Sequence, residues 1–502
     1  MPRLRGKRCL ICIIIIFMFM TVQVHSSATA LEAFNQEFVR SQSKDFQLVP
    51  VFQDARQFAQ AEERVYGWDV VQGKQPMGRL TMNQYRLANG DLYYYLRYLP
   101  QQSDKRSLML SIPVELTDFT YRYVTYPLGY DFSKSQWSEI VSGNKETKLP
   151  KESMYIDDTA ASYYLSYIDV FELQDKGVKK ERYDLGKALR IGDECLLLEF
   201  PNIKGTSVEQ WGVLSQERLV DWEDSMAPIH LRMADLNRVR KQGQEGIYYF
   251  TPSSYYPTSP TSFWFNPAHH IGELFIRTEG ARFFEDFGLV SLYKAVRSQN
   301  QRGYWWSTPR SNWLMQDYGI DSSFYDTRFS TDAAIFLLKG YDKYQDPVFL
   351  EAGKKYGDYL LQFAENHHFE TVNGGWLIMD YGHDMKPEAV THVSLNHLVT
   401  EMNFLYHLYI LTEEEAYYTL AGKIKQAVKD TRFSWIKENG DLWYAYMTDG
   451  TYGKQDYPVL TLKDLRISQG FFEKVDGYRD DDFEMLILSK ENYLKANNLP
   501  LW

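Results

Sequence analysis

The sequence predicts an α+β chain, with a β-rich N-terminal sandwich or barrel-like domain followed by an incomplete (α/α) toroid of about four helix hairpins. Three observations carry this expectation. Residues from about 79 to 262 break into short β-favouring runs separated by polar or Gly/Pro turns. A Pro/Ser/Thr run, Thr251 to Ser262, then punctuates the chain. Beyond it the apolar period becomes helical. With 502 residues and 44% hydrophobic content, the chain is large enough for two or three domains. The expected division is a targeting segment at 1–30, a β-rich domain at 31–262 and a helical domain at 263–502.

The first segment sets Arg3, Arg5, Lys7 and Arg8 before the apolar run Cys9–Met20 and the small-residue ending Ala28-Thr-Ala30. This is the order of a secretory signal. The run is shorter than the roughly 20 residues of a membrane span. Extended through Thr21 to Val24, it leaves an uncleaved membrane anchor as the alternative to cleavage. The expected location is therefore secreted or cell-envelope. Removal of those four cations moves the formal charge from −11 to −15. It also leaves Cys195 as the one cysteine of three, so no intrachain disulfide forms. A cysteine-poor exported chain of this size fits a bacterial source. No basic stripe follows residue 8, which argues against a nucleic-acid partner.

Within 31–262, the more polar stretch 31–66 is read as helical. Asn89-Gly90-Asp91 joins Leu80–Leu87 to Leu92–Leu99 as a hairpin. Ser107–Val114, Phe119–Tyr126, Ser162–Leu173 and Cys195–Phe200 are further strands. In residues 263–502, helices are expected at 283–299, 330–344, 347–365, 393–411, 414–430, 460–472 and 481–495, in pairs with short joins. Two pairs repeat: an aromatic helix end, an acidic turn, then Ala-Gly-Lys at Ala352 and again at Ala421. Each is followed by a Gly turn and a tryptophan, Trp376 and Trp443. Recurring hairpins of this kind close into a ring or solenoid.

The helix at 393–411 is apolar nearly all round, as a buried helix is. Yet His392, Asn396, Thr400, Asn403 and His407 recur at helical spacing along one face. Such a stripe either lines a polar cavity or bonds to neighbouring elements. The loop before it gathers Asp380, Tyr381, His383, Asp384 and Glu388. Eight of the ten histidines lie between 269 and 407, which favours the helical half as the active part. The chain also holds 38 Tyr, 29 Phe and 12 Trp. That excess suits either sugar-stacking surfaces or strands, which favour Tyr.

Residues 374–446 resemble the C-terminal domain of the D-glucuronyl C5-epimerase family. The likeness rests on Gly374-Gly-Trp with Asp380-Tyr-Gly382, on His392-Val-Ser-Leu-Asn-His-Leu, on Leu405-Tyr-His-Leu-Tyr-Ile-Leu-Thr-Glu and on Gly440-Asp-Leu-Trp-Tyr-Ala-Tyr446. The chain departs from that family at Asp380 (Glu there), Gly382 (Pro) and His397 (Gly). It has Arg466-Ile-Ser-Gln near the end, where the family carries a histidine segment. The resemblance implies inversion at C5 of a uronate in a polysaccharide, with no cofactor, by proton removal and return. It carries an acid/base role onto Tyr381 or Tyr444, with Tyr446 a third candidate. A tyrosine base requires a pKa-lowering neighbour, since the free side chain titrates near 10. Asp380 is then a base or hydrogen-bond partner. Arg310 and Arg328 are candidates for the uronate carboxylate, Trp306 and Trp376 for ring stacking, and His392, Asn396 and Asn403 for polar contacts. His269-His270 with Glu273 lack the His-Glu-x-x-His pattern, so no metal is expected. A glycoside hydrolase, with Asp380 paired to Asp332 or Asp384, or a lyase that shares the proton-abstraction step, is one alternative. A non-catalytic glycan-binding or envelope protein is another. A homodimer and membrane attachment through residues 1–30 stay compatible with the sequence.

Overall fold

The computed structural model describes residues 35–114, 116–127 and 134–501. The targeting segment expected at 1–30 lies outside the described residues. Those residues form a mixed α/β structure with ten α-helices and many antiparallel strands.

Most strands form a fifteen-stranded sheet faced by a four-stranded one, and the rest make four small sheets of two or three strands. In the large sheet, Ala61–Gln72, Gln75–Leu87 and Leu92–Pro100 pair in succession, and Leu92–Pro100 continues onto Thr206–Ser215. The expected hairpin is present: Gly90 takes φ +94°, and Leu87 N donates to Asp91 O at 2.9 Å. Successive side chains alternate between faces. Leu80, Met82, Tyr94, Leu96 and Tyr98 point to one core, shared with Leu108, Leu110, Leu196 and Leu198 of the small sheet. Tyr85, Tyr93, Tyr95, Tyr164 and Trp211 point to the other core, among Phe275, Phe283 and Phe287 of the helices. A sheet covered on both faces has no polar side to show, and Thr206–Ser215 is accordingly buried at every position. The buried tyrosines are thus one consequence of three stacked layers.

The expected helix in 31–66 is corrected. Gln47–Gln57 and Ala61–Gln72 are antiparallel strands. Gln47–Gln57 is the outer partner and almost wholly exposed, which explains a polar composition without a helix. The last strand of the large sheet, Ser262–Phe265, straddles the expected junction at 262.

One short helix, α1 (Ala227–Ala234), lies in the strand-rich part. The rest are α2 (His270–Ile276), α3 (Arg282–Ser298), α4 (Asn312–Tyr318), α5 (Thr327–Tyr344), α6 (Pro347–Asn366), α7 (Leu395–Thr412), α8 (Glu415–Trp435), α9 (Leu460–Val475) and α10 (Asp481–Ala496). Four hairpins, α2/α3, α5/α6, α7/α8 and α9/α10, stack in two rows: α2, α5, α7 and α9 in one, α3, α6, α8 and α10 in the other. Local chemistry sets the joins. Between α5 and α6, Gln345 turns at φ +51°, Asp346 accepts from Val348 N, and Pro347 opens the next helix. The second carboxylate oxygen of Asp346 accepts from Tyr293 OH at 2.9 Å and Ala59 N at 3.1 Å, tying this corner to the sheet. Helix α7 contacts α5, α8 and α9, which is why it is apolar nearly all round.

Candidate functional site

The chemistry gathers where α5 and α7 begin. The strand Phe324–Asp326 pairs with Tyr381–Gly382, setting Asp326 opposite Tyr381 and Tyr325 opposite Gly382. Asp326 ends its strand and caps α5, accepting from Phe329 N at 3.0 Å. Asp380 precedes the other strand; its carbonyl accepts from Thr327 N at 3.0 Å, and its N–H donates to His392 O at 3.0 Å. Its carboxylate accepts from Ser394 N at 2.8 Å and from the Ser394 hydroxyl, which fixes the start of α7.

Asp380 is fully buried between two imidazoles, His392 Nε2 at 3.3 Å and His397 Nδ1 at 3.6 Å. Burial pushes its carboxyl up, but the two histidines and Ser394 outweigh it and hold it below the usual range. His392 Nδ1 lies 2.7 Å from Tyr318 OH, and His397 Nδ1 lies 2.9 Å from Thr327 Oγ1. With the phenol donating to His392 Nδ1, the ring proton sits on Nε2, 3.3 Å from Asp380 but without hydrogen-bond geometry to it. A line Tyr318–His392–Asp380 therefore runs from the half-buried Tyr318 inward.

Asp326 differs. Burial, opposed by the N–H of Phe329 and reinforced by the charge of Asp380, pushes its carboxyl up to about 7. Four tyrosines, Tyr255, Tyr381, Tyr444 and Tyr457, feel its charge. Trp313 packs edge-on to Tyr381 at 5.4 Å and lies 5.7 Å from the His392 ring. The Lys454 ammonium sits 4.9 Å from the centre of the Trp313 ring, on a residue held at φ +64°. Tyr457 is 51% exposed, whereas Asp326, Tyr381 and His392 are buried.

The sequence-derived candidates separate in this geometry. Asp380, Tyr381, His392 and Tyr444 come together, Tyr444 with its ring 6.0 Å from His392. Tyr381 and Tyr444 do not have the lowered pKa a tyrosine base needs. Burial raises both well above 10, and Asp326 and Asp380 raise them further. Tyr446 packs instead on Phe369 and Tyr452. Arg310 lies at the rim, its strand paired with Tyr255–Tyr256 and its Nε 3.3 Å from Asp321. Arg328 is turned inward: it bonds both oxygens of Asp332, Asp464 at 2.6 Å and the main-chain carbonyl of Asn396 at 3.1 Å. Asn403 donates to Asp464 O at 3.0 Å, beside this ion group. The side-chain oxygens of Asn396, Thr400 and Asn403 are buried without a hydrogen-bond partner. Trp306 packs on Tyr304. Trp376 has its faces covered by His368, stacked at 3.9 Å, and by the Lys423 ammonium at 3.4 Å, which leaves no face for a sugar ring. Among the described residues, no group of three or more His, Cys, Asp or Glu is arranged to hold a metal ion.

Sequence reasoning missed Asp326, Tyr318, Trp313 and Glu401. Asp326 carried a signal, an Asp before the helical run Thr327-Arg-Phe-Ser, but that helix was expected to begin at 330. Glu401, on α7, is fully buried with both oxygens unpartnered, and burial pushes it up to about 8.

No protein-family model matches the chain and no curated protein matches it. Among solved structures, the chain is similar to a D-mannose isomerase at 14% identity and TM-score 0.33, over 46% of this chain and 59% of that one. It is similar to a family 76 glycoside hydrolase from a bovine Bacteroides thetaiotaomicron strain at 11% identity and TM-score 0.36, over 80% and 74%. It is also similar to cellobiose 2-epimerase from Bacillus thermoamylovorans at 11% identity and TM-score 0.33, over 46% and 59%. The match thus spans less than two thirds of the isomerase.

Proposed function

We propose that this protein is a carbohydrate-active enzyme that moves a proton at carbon, inverting C5 of a uronate within a polysaccharide. The supporting observation is the pairing of Asp326, poised near pH 7 among tyrosines, with the adjacent Tyr318–His392–Asp380 line. One carboxylate near neutrality can take a proton, and one phenol backed by an imidazole can return one.

Ionised Asp326 removes the C5 proton, and the electron pair delocalises into the substrate carboxylate. Lys454 and Arg310 at the rim neutralise that charge. Tyr318 then delivers its proton to the opposite face, and its phenolate takes a proton back from solvent as Asp326 releases the abstracted proton to solvent. Protons and electrons balance, so no cofactor is required. Tyr381 and Tyr444, kept as phenols, act as hydrogen-bond donors. The local cations answer the unfavourable long-range charge for an anionic polymer. Export through residues 1–30 belongs to the same proposal, supported by their charged-then-apolar order.

Hydrolysis would need two carboxylates free to face one glycosidic bond. Asp380 is engaged by Ser394, Asp332 by Arg328 and Asp384 by Arg302. The test is incubation of the 31–502 protein with heparosan-like, alginate-like and teichuronate-like polymers in deuterated water. Deuterium at C5 in uncut chains is expected; new reducing ends, or binding with no deuterium on any polymer, would contradict the proposal.

A further inference from the structure

The reacting groups are covered. Asp326 is 4% exposed, Tyr381 5% and His392 0%, which leaves a sugar ring no way to the carboxylate. Residues 308–323, which include α4, lie over this group. Tyr318 meets His392, Trp313 meets Tyr381, and Asp326 shares a face with Tyr381, its antiparallel partner. The segment leaves the strand Trp306–Ser307 and returns to the strand Phe324–Asp326. Those two strands pair with each other, Ser307 opposite Phe324. Ser323 N donates to Thr308 O at 3.2 Å beside that pair. An excursion of this length whose ends are held together has the plan of an Ω-loop.

The excursion is tied to itself. Ser311 caps α4, Gly319 N returns to Met315 O at 3.1 Å, and Arg310 Nε lies 3.3 Å from Asp321 across its two limbs. Its ties to the surroundings are short by comparison. Arg310–Ser311 pairs with Tyr255–Tyr256, Asn312 N donates to Ser254 O at 2.9 Å, and His383 Nε2 lies 3.2 Å from Ser322 O. Leu314 and Ile320 sit beneath it in the apolar cluster of Tyr255, Phe324 and Tyr381. Leu314 is the one buried residue of α4, whereas α5 and α7 bury nine and more. Segments with few buried side chains open at lower free energy than core helices. Two residues of the returning limb, Gly319 at φ +65° and Ser323 at φ +59°, hold left-handed backbone. Positions of that kind can absorb the dihedral change of a hinge.

We propose that residues 308–323 are a lid, which swings out to admit the polymer and on closing delivers Tyr318 to the substrate. The idea rests on the proton-transfer function proposed above. The participating groups divide by element. Asp326 lies on the ribbon that opens α5, and Lys454 on the strand Tyr452–Gln455, both outside the lid. Tyr318 and Arg310 ride on it. Base and acid therefore stand opposite each other only with the lid shut, when water is kept from the C5 electron pair. Lys454, 4.9 Å from the Trp313 ring, marks where lid and framework meet.

A reversible lock tests this. The bond from Asn312 N to Ser254 O continues the antiparallel register of Ser311 with Tyr255. Partners bonded in this way have Cα atoms about 5.5 Å apart, within the span of a disulfide. Asn312 is exposed, Ser254 is half-buried, and neither faces the reacting groups. Ser254 belongs to an arm fixed to the sheet by Thr251 N to Ser262 O at 2.9 Å and by Tyr255 edge-on to Trp264 at 5.0 Å. The 31–502 protein carrying Ser254→Cys with Asn312→Cys is compared oxidised and reduced, by amide hydrogen exchange and by C5 deuterium exchange on the polymers. In the reduced form, amides of 310–320 should exchange at least about tenfold faster than those of α5 and α7, and oxidation should remove most of that difference. Oxidation should also lower C5 exchange at least about tenfold, with recovery on reduction, while wild type is indifferent to reductant. Lid amides as slow as those of α5 and α7 overturn the proposal, as does C5 exchange equal in the two forms. Absence of C5 exchange in wild type refutes the proton-transfer function, and amide exchange then decides the lid by itself.

Discussion

Asp326→Asn separates chemistry from folding. The carboxyl caps α5 through Phe329 N, and Asn caps nearly as well as Asp. Its loss as a proton acceptor should lower C5 exchange by roughly 10²–10⁴. Wild-type exchange should rise with pH and level off above about 7, because the base form is the ionised one. Stability moves oppositely. The folded pKa, about 7, lies above the ordinary 3.8. The folded state thus holds the proton more tightly, and stability is lost as pH rises through the folded value. That loss is about 4 kcal/mol in all, of which about 3 kcal/mol falls between pH 5 and 8. With about 2 cal/mol/K of unfolding entropy per residue, a chain this size shifts about 1 °C per kcal/mol. The melting temperature of Asp326→Asn, relative to wild type, should therefore rise by about 3 °C from pH 5 to pH 8. Calorimetry at both pH values, beside the exchange assay, checks this. Exchange within about threefold of wild type at pH 8, or a difference in Tm independent of pH, would refute the reasoning.

Tyr318→Phe keeps the ring beside Trp313 and His392, so exchange should fall by roughly 10–100-fold with melting little changed. Asp380→Asn leaves two bonds from Ser394 poorly matched and should cost about 3 kcal/mol at pH 7. Because the Asp380 carboxyl is held low, that deficit should fade in acid unfolding experiments below pH 4. Glu401, pushed up to about 8, is a neutral acid at pH 6, where Glu401→Gln should be tolerated. By pH 9 the variant should gain about 3 kcal/mol on wild type in denaturant unfolding. Trp376→Ala should lower Tm and leave KM unchanged, since His368 and Lys423 cover its ring.

The seven longer helices were legible because their signals are local, whereas the short α1, α2 and α4 were not expected. Pro347 after Asp346, the apolar period and the repeated acidic turns placed the hairpin joins to within a few residues. The strands of the sheet core were legible from Asn89-Gly90 and from their tyrosine-rich runs. The outer strand Gln47–Gln57 was not, because polarity on both faces reports exposure rather than helical period. In the site, Asp380, Tyr381 and His392 were visible through crowding in one loop. Asp326 was not: its significance arises from four tyrosines brought in by 255, 381, 444 and 457, which no local window contains. Trp376 shows the reverse, a tryptophan in a suggestive motif whose neighbours on the helical surface cover it.

Solvent deuterium wash-in on a uronate-containing polymer, followed by NMR at C5 with chain length monitored in parallel, tests proton transfer at this site most directly. The expected result is C5 deuterium in both epimers, no new reducing ends, and loss of the signal in Asp326→Asn. Chain cleavage, or C5 exchange that persists undiminished in Asp326→Asn, would contradict it.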